Sequence, residues 1–151
     1  MKATHQFCTF FLQDFMFGVE VQMIQEVICY QEMTPVPLAP ATIHGLINLR
    51  GQIVTAIDLR TRLELPARTG DVLPTNVIIR TPDGAVSLLV DEIGDVVEVD
   101  PNLYERPPET LNGTARHLVT GVYKLDGRLL LILDVANAVT VLPALHESHA
   151  S

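Results

Sequence analysis

The sequence predicts an all-β protein built as two small barrels that lie side by side. Three observations support this fold class: short apolar runs alternate with tight turns, the helical segments are brief, and one hairpin occurs twice. Many short strands with turn signals at regular spacing are typical of a barrel or a sandwich. The repeated hairpin favours two related barrels with a groove between them.

The repeat is the strongest pattern in the chain. Residues 45–60 (GLINLRGQIVTAIDLR) read as a strand, a turn, a second strand and the start of a helix. Residues 121–136 (GVYKLDGRLLLILDVA) repeat this pattern 76 positions further on, from Gly45 to Gly121. An earlier segment, 17–28, matches 86–97 at an offset of 69 positions, as between Val21 and Val90. The chain is therefore interpreted as two copies of one design.

Residues that occur at the same place in both copies are predicted to have structural roles. Gly51 and Gly127 occupy the turns, because glycine accepts a positive φ without a Cβ clash. Asp58 and Asp134 each follow a strand and open a helix, where a carboxylate can accept the free amide hydrogens of the first turn.

The residue before each turn glycine differs between the copies. Asp126-Gly127 is a preferred type I′ pair, because Asp tolerates the left-handed region. Arg50 stands at the matching position, where it fits either a strained type I′ turn or a type II turn. In both turns its guanidinium lies at the hairpin tip and suits a carboxylate, for which Glu26 is the predicted partner. An ordinary exposed arginine is the alternative.

The remaining elements follow in chain order. The first half is expected to hold strands at 6–12 and 15–21, a helical turn at 22–25, a strand at 26–30, a proline-rich connection, the hairpin 45–57 and a helix at 58–65. The second half is expected to hold strands at 76–81, 85–93 and 96–99, an irregular segment at 100–116, the hairpin 121–133 and a helix from Asp134. These elements predict one domain over 1–142, with lobes at about 6–70 and 75–142, and a flexible tail at 143–151.

Composition narrows the function classes. A net charge of −8 without any basic run opposes binding to nucleic acid or an anionic membrane. No apolar run reaches the ~18 residues of a membrane helix, which predicts a cytoplasmic protein without membrane insertion. Cys8 and Cys29 lie in apolar strand-like runs and are expected to be buried, reduced thiols. No histidine has a partner at metal-ligand spacing, so neither a metal nor a cofactor is expected.

An enzyme or ligand-binding protein is the alternative from a different class. It would be a small β-barrel hydrolase or binding protein that uses Asp58, Asp134 or His44, and it requires two of these groups to converge on one pocket. Both aspartates recur at equivalent places in the two copies, which favours a structural role. The sequence therefore predicts no catalytic residue.

The run GLINLRGQIVTAIDLR, with its NLRG turn and the DLR that follows, resembles the signature of CheW-type chemotaxis coupling proteins. The resemblance extends over almost the whole chain through FCTFFLQDFMFGVEV, LLVDEIGDVVEV and TGVYKLDGRLLLILDV. It implies two SH3-like five-stranded β-barrels with short helices. It also implies a non-enzymatic adaptor that links the cytoplasmic tip of chemoreceptors to the regulatory domain of the histidine kinase CheA, at the inner face of the membrane.

The resemblance also assigns roles to individual residues. Asn48 and Arg50 of the NLRG turn, with Gly45 and Glu26, match positions implicated in receptor contact and in holding the groove. Val21 and Ile24 match the apolar patch that meets the kinase, although periodicity alone places Ile24 in the core. Gly121 matches a glycine that the second lobe needs. An adaptor of a non-flagellar chemosensory pathway, such as pilus motility, is the alternative within this family.

Overall fold

The computed structural model describes residues 5–70, 72–109, 111 and 113–140. Within these ranges the chain forms two five-stranded sheets and a few short helices, so the predicted all-β class is confirmed. The strands are β1 His5–Leu12, β2 Phe15–Glu20, β3 Ile24–Ile28, β4 Ile43–Leu49, β5 Gln52–Asp58, β6 Thr75–Thr81, β7 Gly84–Val90, β8 Glu92–Val99, β9 Val119–Leu125 and β10 Arg128–Leu133. The helices are α1 Leu59–Arg62, α2 Thr114–Leu118 and α3 Val135–Ala138, with single 3-10 turns at Val21–Met23 and Pro101–Leu103.

Each sheet contains strands from both halves of the chain. The first sheet has the order β8-β1-β2-β10-β9, and the second has the order β3-β6-β7-β5-β4. Neighbouring strands are antiparallel except at two places, where β10 lies parallel to β2 and β5 lies parallel to β7. The chain crosses from one sheet to the other after β2, through the turn Val21–Met23, and again after β7, through Asp91.

These crossings correct the predicted division into lobes at about 6–70 and 75–142. Strands β1 and β2 belong to the first sheet, whereas β3, β4 and β5 complete the second. An apolar pattern shows that a segment forms a strand, but it does not identify the partner of that strand. The predicted tail at 143–151 lies outside the described residues.

The register of the two parallel pairs reproduces the sequence repeat. Thr55 of β5 lies opposite Val86 of β7, and Leu131 of β10 lies opposite Phe17 of β2. Thr55 and Leu131 are 76 positions apart, whereas Phe17 and Val86 are 69 positions apart. Both offsets found in the sequence therefore join equivalent points of one pseudo-symmetric structure.

A shared apolar cluster joins the two sheets. Phe10 and Phe17 of the first sheet and Ile79 and Leu88 of the second belong to the same cluster of buried residues, and α1 and α3 add Leu59 and Val135. The opposite face of each sheet has its own smaller cluster, around Phe7 and Leu130 in the first sheet and around Ile47 and Ile78 in the second. Burial of apolar surface thus stabilises the pair of sheets as one unit.

Several local predictions differ from the structure. The segment predicted to be irregular, 100–116, overlaps the start of α2, and the buried Leu118 anchors this short helix. The helix predicted at 58–65 ends at Arg62. Cys8 is buried as expected, but Cys29 is exposed, since it lies just beyond the end of β3.

Two glycines allow a connecting segment to cover an edge of each sheet. Next to Gly45, Leu46 exchanges two backbone hydrogen bonds with Thr34, at 2.8 and 2.9 Å. Next to Gly121, Val122 exchanges the same pair of bonds with Glu105, at 2.8 and 2.9 Å. The two glycines differ in the atoms that an added Cβ would meet.

A Cβ at position 45 would lie 2.9 Å from the backbone oxygen of Thr34 and 2.9 Å from the Cβ of Met33. A Cβ at position 121 would lie 2.1 Å from Cζ of Tyr104, which is the far end of a half-exposed side chain. The first obstacle is backbone, whereas the second is a ring that can rotate away. Gly45 is therefore the less replaceable of the two glycines.

We predict that Gly45→Ala and Gly121→Ala each lower the free energy of unfolding by about 1 to 3 kcal/mol, because each adds a methyl group to a filled space. In a double-mutant cycle, Tyr104→Ala should remove most of the cost of Gly121→Ala. Met33→Ala should not rescue Gly45→Ala, because the Cβ of residue 33 and the backbone of Thr34 remain. Urea unfolding of the single and double variants measures both couplings, and equal rescue at the two sites would contradict this account.

Candidate functional site at the β4–β5 hairpin and the β2–β3 crossing

The tip of the β4–β5 hairpin is a strained turn. Arg50 has φ 52° and Gly51 has φ 85°, the pattern of a type I′ turn. The amide of Gly51 donates to the side-chain oxygen of Asn48 at 3.0 Å, which fixes the entry to the turn. Arg50 is thus a non-glycine residue in the left-handed region, at the end of a regular hairpin.

The equivalent hairpin in the second half corrects the predicted turn type. Gly127 has φ 81°, but Asp126 is not in the left-handed region. A positive φ at the second position alone is the pattern of a type II turn. Asp126 tolerates a positive φ better than an arginine does, but it lies outside the left-handed region, whereas Arg50 lies within it.

Arg50 forms an ion pair with Glu26 of β3. Both terminal nitrogens of its guanidinium donate to the carboxylate of Glu26, with Nη1 at 3.2 Å from Oε1 and Nη2 bonded to Oε2. The hydrogen bond from Arg50 lowers the pKa of Glu26 below its usual value. The side chain of Glu26 is 24% exposed and that of Arg50 is 69% exposed, so the pair lies open to a partner. The partner predicted for Arg50 is therefore the observed one.

The crossing from β2 to β3 brings apolar residues to the surface beside Glu26. Val21 begins the 3-10 turn and is 36% exposed. Ile24 begins β3, is half-buried and packs against the shared cluster, so it is neither fully core nor fully surface. An open cleft of about 570 Å³ is lined by Val21, Gln22 and Glu20 on one side and by His5 and Gln6 on the other. This crossing combines an exposed apolar patch with a cleft.

The predicted site residues thus fall into three places. Glu26, Asn48 and Arg50 meet at the hairpin tip, and Val21 and Ile24 lie on the adjoining crossing. Gly45 is buried nearer the start of β4, where it allows the close approach of Thr34, and it does not contribute to the tip.

The two aspartates have the capping role that their positions predict. The carboxylate of Asp58 accepts from the amide of Arg60 at 3.0 Å, and that of Asp134 accepts from the amide of Asn137 at 3.1 Å. His44 contacts the hydroxyl of Tyr30 at 3.3 Å. Among the contacts of the described residues, none joins the two aspartates and His44 around one pocket.

A charged cluster at the second crossing was not predicted. Asp91 lies between β7 and β8, and its carboxylate accepts from Nε of Arg60 at 2.8 Å and from the amide of Gln13 at 2.8 Å. Arg68 pairs with Asp91 at 2.9 Å and with Asp58 at 3.1 Å. Since these residues are up to 78 positions apart, as from Gln13 to Asp91, no local pattern indicates the cluster.

The environment of Asp91 favours its charged form. Burial of the carboxyl group raises its pKa, but hydrogen bonds from Arg60 and from the Gln13 amide outweigh burial, so that the pKa of Asp91 lies below its usual value. The side chain is 17% exposed, which limits screening by solvent. The cluster therefore fixes the crossing between the sheets together with the β1–β2 turn.

Fold and site together define a pseudo-symmetric, two-sheet β-protein that exposes a charged hairpin tip beside an apolar crossing. The sequence model of the CheW-like domain matches residues 6–142. The chain belongs to the CheW-like domain family.

Individual relatives agree with this assignment. The chain is 32% identical to the chemotaxis protein CheW of Bacillus subtilis (strain 168) over 139 residues, which cover 92% of this chain and 88% of that protein. It is 30% identical to the chemotaxis protein CheW of Treponema pallidum (strain Nichols) over 134 residues, which cover 86% of this chain and 79% of that protein. The crystal structure of the scaffolding protein TtCheW from Thermoanaerobacter tengcongensis superposes with a TM-score of 0.79 at 28% identity, and covers 87% of this chain and 90% of that one.

The family membership establishes the fold and the general function. The two sheets are SH3-like, as the likeness to the TtCheW scaffold shows. The chain is a non-catalytic adaptor of chemotaxis, which removes the hydrolase alternative. In the described ranges, no cluster of His, Cys, Asp and Glu could hold a metal ion, and no helix is long and apolar enough to cross a membrane.

We predict that Asp91→Asn lowers the free energy of unfolding at neutral pH by about 3 kcal/mol, because two arginines lose their buried partner. The folded-state pKa of Asp91 is depressed, so its contribution is fully present above the unfolded pKa of about 4 and is lost as the pH falls through the lower folded value. The variant should therefore lose less stability than the wild type on acidification. Urea unfolding between pH 7 and pH 3 measures this difference.

Asp95→Asn is the matched control, because Asp95 lies exposed on the adjoining β8 strand. A variant at position 91 that unfolds like this control across the pH range would contradict the role given to the cluster.

Proposed function

We propose that this chain couples chemoreceptors to the histidine kinase CheA through two adjoining surfaces. The β4–β5 hairpin tip would meet the cytoplasmic tip of the receptor, and the β2–β3 crossing would meet the regulatory domain of the kinase. The observation that carries the proposal is the ion pair between Arg50 and Glu26, because it joins the hairpin directly to the strand that follows the crossing.

The hairpin tip is suited to a helical partner with carboxylates. Arg50 keeps a conformation that glycine or asparagine would adopt with less strain, and such outliers cluster at binding sites. A guanidinium has five N–H donors in a fixed fork, and Glu26 engages its two terminal nitrogens. Donors therefore remain for a carboxylate of the receptor while Glu26 holds the orientation of the side chain.

The crossing is suited to a more apolar partner. Val21 is exposed and Ile24 is half-exposed, whereas Glu20 and Gln22 supply a polar rim. An apolar centre with a polar rim is the usual composition of a protein interface. The adjacent β3 strand pairs only with β6 among the described strands, so the edge of this sheet also faces outward.

Coupling by a rigid body requires that both surfaces move together. The crossing leads into β3, which belongs to the same sheet as the hairpin, and the shared apolar cluster fixes that sheet to the other. Each contact alone would be of modest affinity, and a lattice of receptors and kinases would gain its strength from multivalency. In this proposal the chain would lie in the cytoplasm, at the inner face of the membrane, through its receptors.

We predict that Arg50→Glu weakens co-sedimentation with receptor-containing membranes at least tenfold, because it places two carboxylates together at the tip. The double variant Arg50→Glu with Glu26→Arg restores the ion pair but exchanges its ends. If the double variant is folded but still does not bind the receptor, the partner needs the cation at position 50. Arg128→Glu, beside the equivalent hairpin turn, is the matched control and should bind normally. Wild-type binding by Arg50→Glu would overturn the receptor site.

We predict that Val21→Glu weakens binding to the isolated CheA regulatory domain tenfold or more, because a charge would be buried at the centre of the contact. Receptor co-sedimentation should change little. Val72→Glu, another charge placed on an exposed valine, is the control. Isothermal titration calorimetry measures both affinities, and equal binding by the two variants would exclude the crossing as the kinase surface.

A further inference from the structure

Arg80 is an exposed residue whose side chain bonds to the backbone of the crossing. The side chain extends from β6, next to Ile79, which is the strand partner of Ile24. Its Nη1 atom donates to the backbone oxygen of Gln22 at 3.2 Å and to that of Ile24 at 3.2 Å. One cation therefore bonds to carbonyl groups on both sides of Met23.

Met23 and Ile24 pack against the shared apolar cluster, but the crossing has few other polar supports. The 3-10 turn Val21–Met23 contains no buried residue, and no side chain caps its start. The register between β3 and β6 shifts between Ile24 and Glu26, so the first residues of β3 lack a regular ladder. Bonds to a charged donor are stronger than bonds between neutral groups. The guanidinium of Arg80 is thus the main polar restraint that the structure places on this segment.

The equivalent crossing at Asp91 is held by different contacts from those at Gln22. At an offset of 69 positions, Asp91 corresponds to Gln22, and Phe11 corresponds to Arg80. The crossing at Asp91 is fixed by the bond from its amide to the oxygen of Phe11 at 3.0 Å, and by its contacts with Arg60 and Arg68. Gln22 has no carboxylate to attract such a cluster. At the first crossing, the bonds from Arg80 replace this cluster with a single, solvent-exposed restraint.

We infer that Arg80 is a positioning residue for the kinase-docking surface formed by Val21 and Ile24. This inference rests on the proposed function of that surface. By holding the carbonyls of Gln22 and Ile24, Arg80 limits the conformations of the crossing before a partner arrives. A preorganised surface loses less conformational entropy on binding, so its affinity is higher without any new contact. Arg80 itself need not touch the partner.

The test compares Arg80→Ala and Arg80→Lys with wild type and with Arg106→Ala, which removes an exposed arginine elsewhere. Two quantities are measured: the affinity for the isolated CheA regulatory domain, and the hydrogen exchange of amides 20–26 in the free protein. Arg80→Ala should bind three- to tenfold more weakly, and exchange should become faster in this segment but not in the β4–β5 hairpin. Arg80→Lys, which keeps one charged donor group, should be intermediate in both. Arg106→Ala should match the wild type.

The outcomes separate this inference from the proposed function. If Val21→Glu weakens kinase binding but Arg80→Ala changes neither affinity nor exchange, the positioning role is wrong and the docking surface stands. If Val21→Glu leaves binding unchanged, the docking surface is wrong, and the role of Arg80 in docking falls with it. If Arg80→Ala speeds exchange throughout the protein, its effect is on global stability, which also overturns the inference. Weaker binding with faster exchange confined to 20–26 and partial rescue by lysine supports it.

Discussion

The whole structure depends on two parallel strand pairs, β5 with β7 and β2 with β10. Each pair joins strands that come from different repeats, because the chain leaves one sheet after β2 and returns to it only with β8. Neither half of the chain can therefore complete a sheet by itself. The shared apolar cluster follows from this exchange, since residues from both sheets are held against one another. The two sheets are therefore packed together as one body, and the proposed function requires such a body to join two partners.

Equivalent positions in the two repeats differ at the surfaces to which we assign function. Arg50 and Asp126 occupy the same place in two hairpins, but the arginine takes the less comfortable backbone conformation and pairs with Glu26. Gln22 and Asp91 occupy the same place in two crossings, but only the aspartate gathers two arginines. One end of the pseudo-symmetric body is thus fixed by buried charge, whereas the other exposes apolar residues on a lightly held segment. The repeat contains two copies of each feature, and under the proposed function one copy supports the fold whereas the other binds a partner.

Sequence reasoning reached the local features well, because they depend on residues close together in the chain. The two hairpins, the turn glycines and the caps at Asp58 and Asp134 follow from turn and capping preferences that act over a few residues. The repeat offsets of 69 and 76 positions also relate the registers of the two parallel strand pairs. The pairing of Arg50 with Glu26 was predicted because Glu26 was the one acidic group in its segment.

Features that depend on distant contacts were missed or wrong. The division into consecutive lobes failed, because periodicity does not show which strands will pair. The turn at Asp126 was assigned by preference, whereas in the structure only Gly127 of this pair has a positive φ. Arg80 and the cluster around Asp91 gave no signal, since each binds groups dozens of residues away.

The exchange of strands between the two repeats has a consequence for a single repeat. A single repeat could fill its missing places only with a second copy, as an interlocked homodimer, and the connection between α1 and β6 is where two such chains would become one.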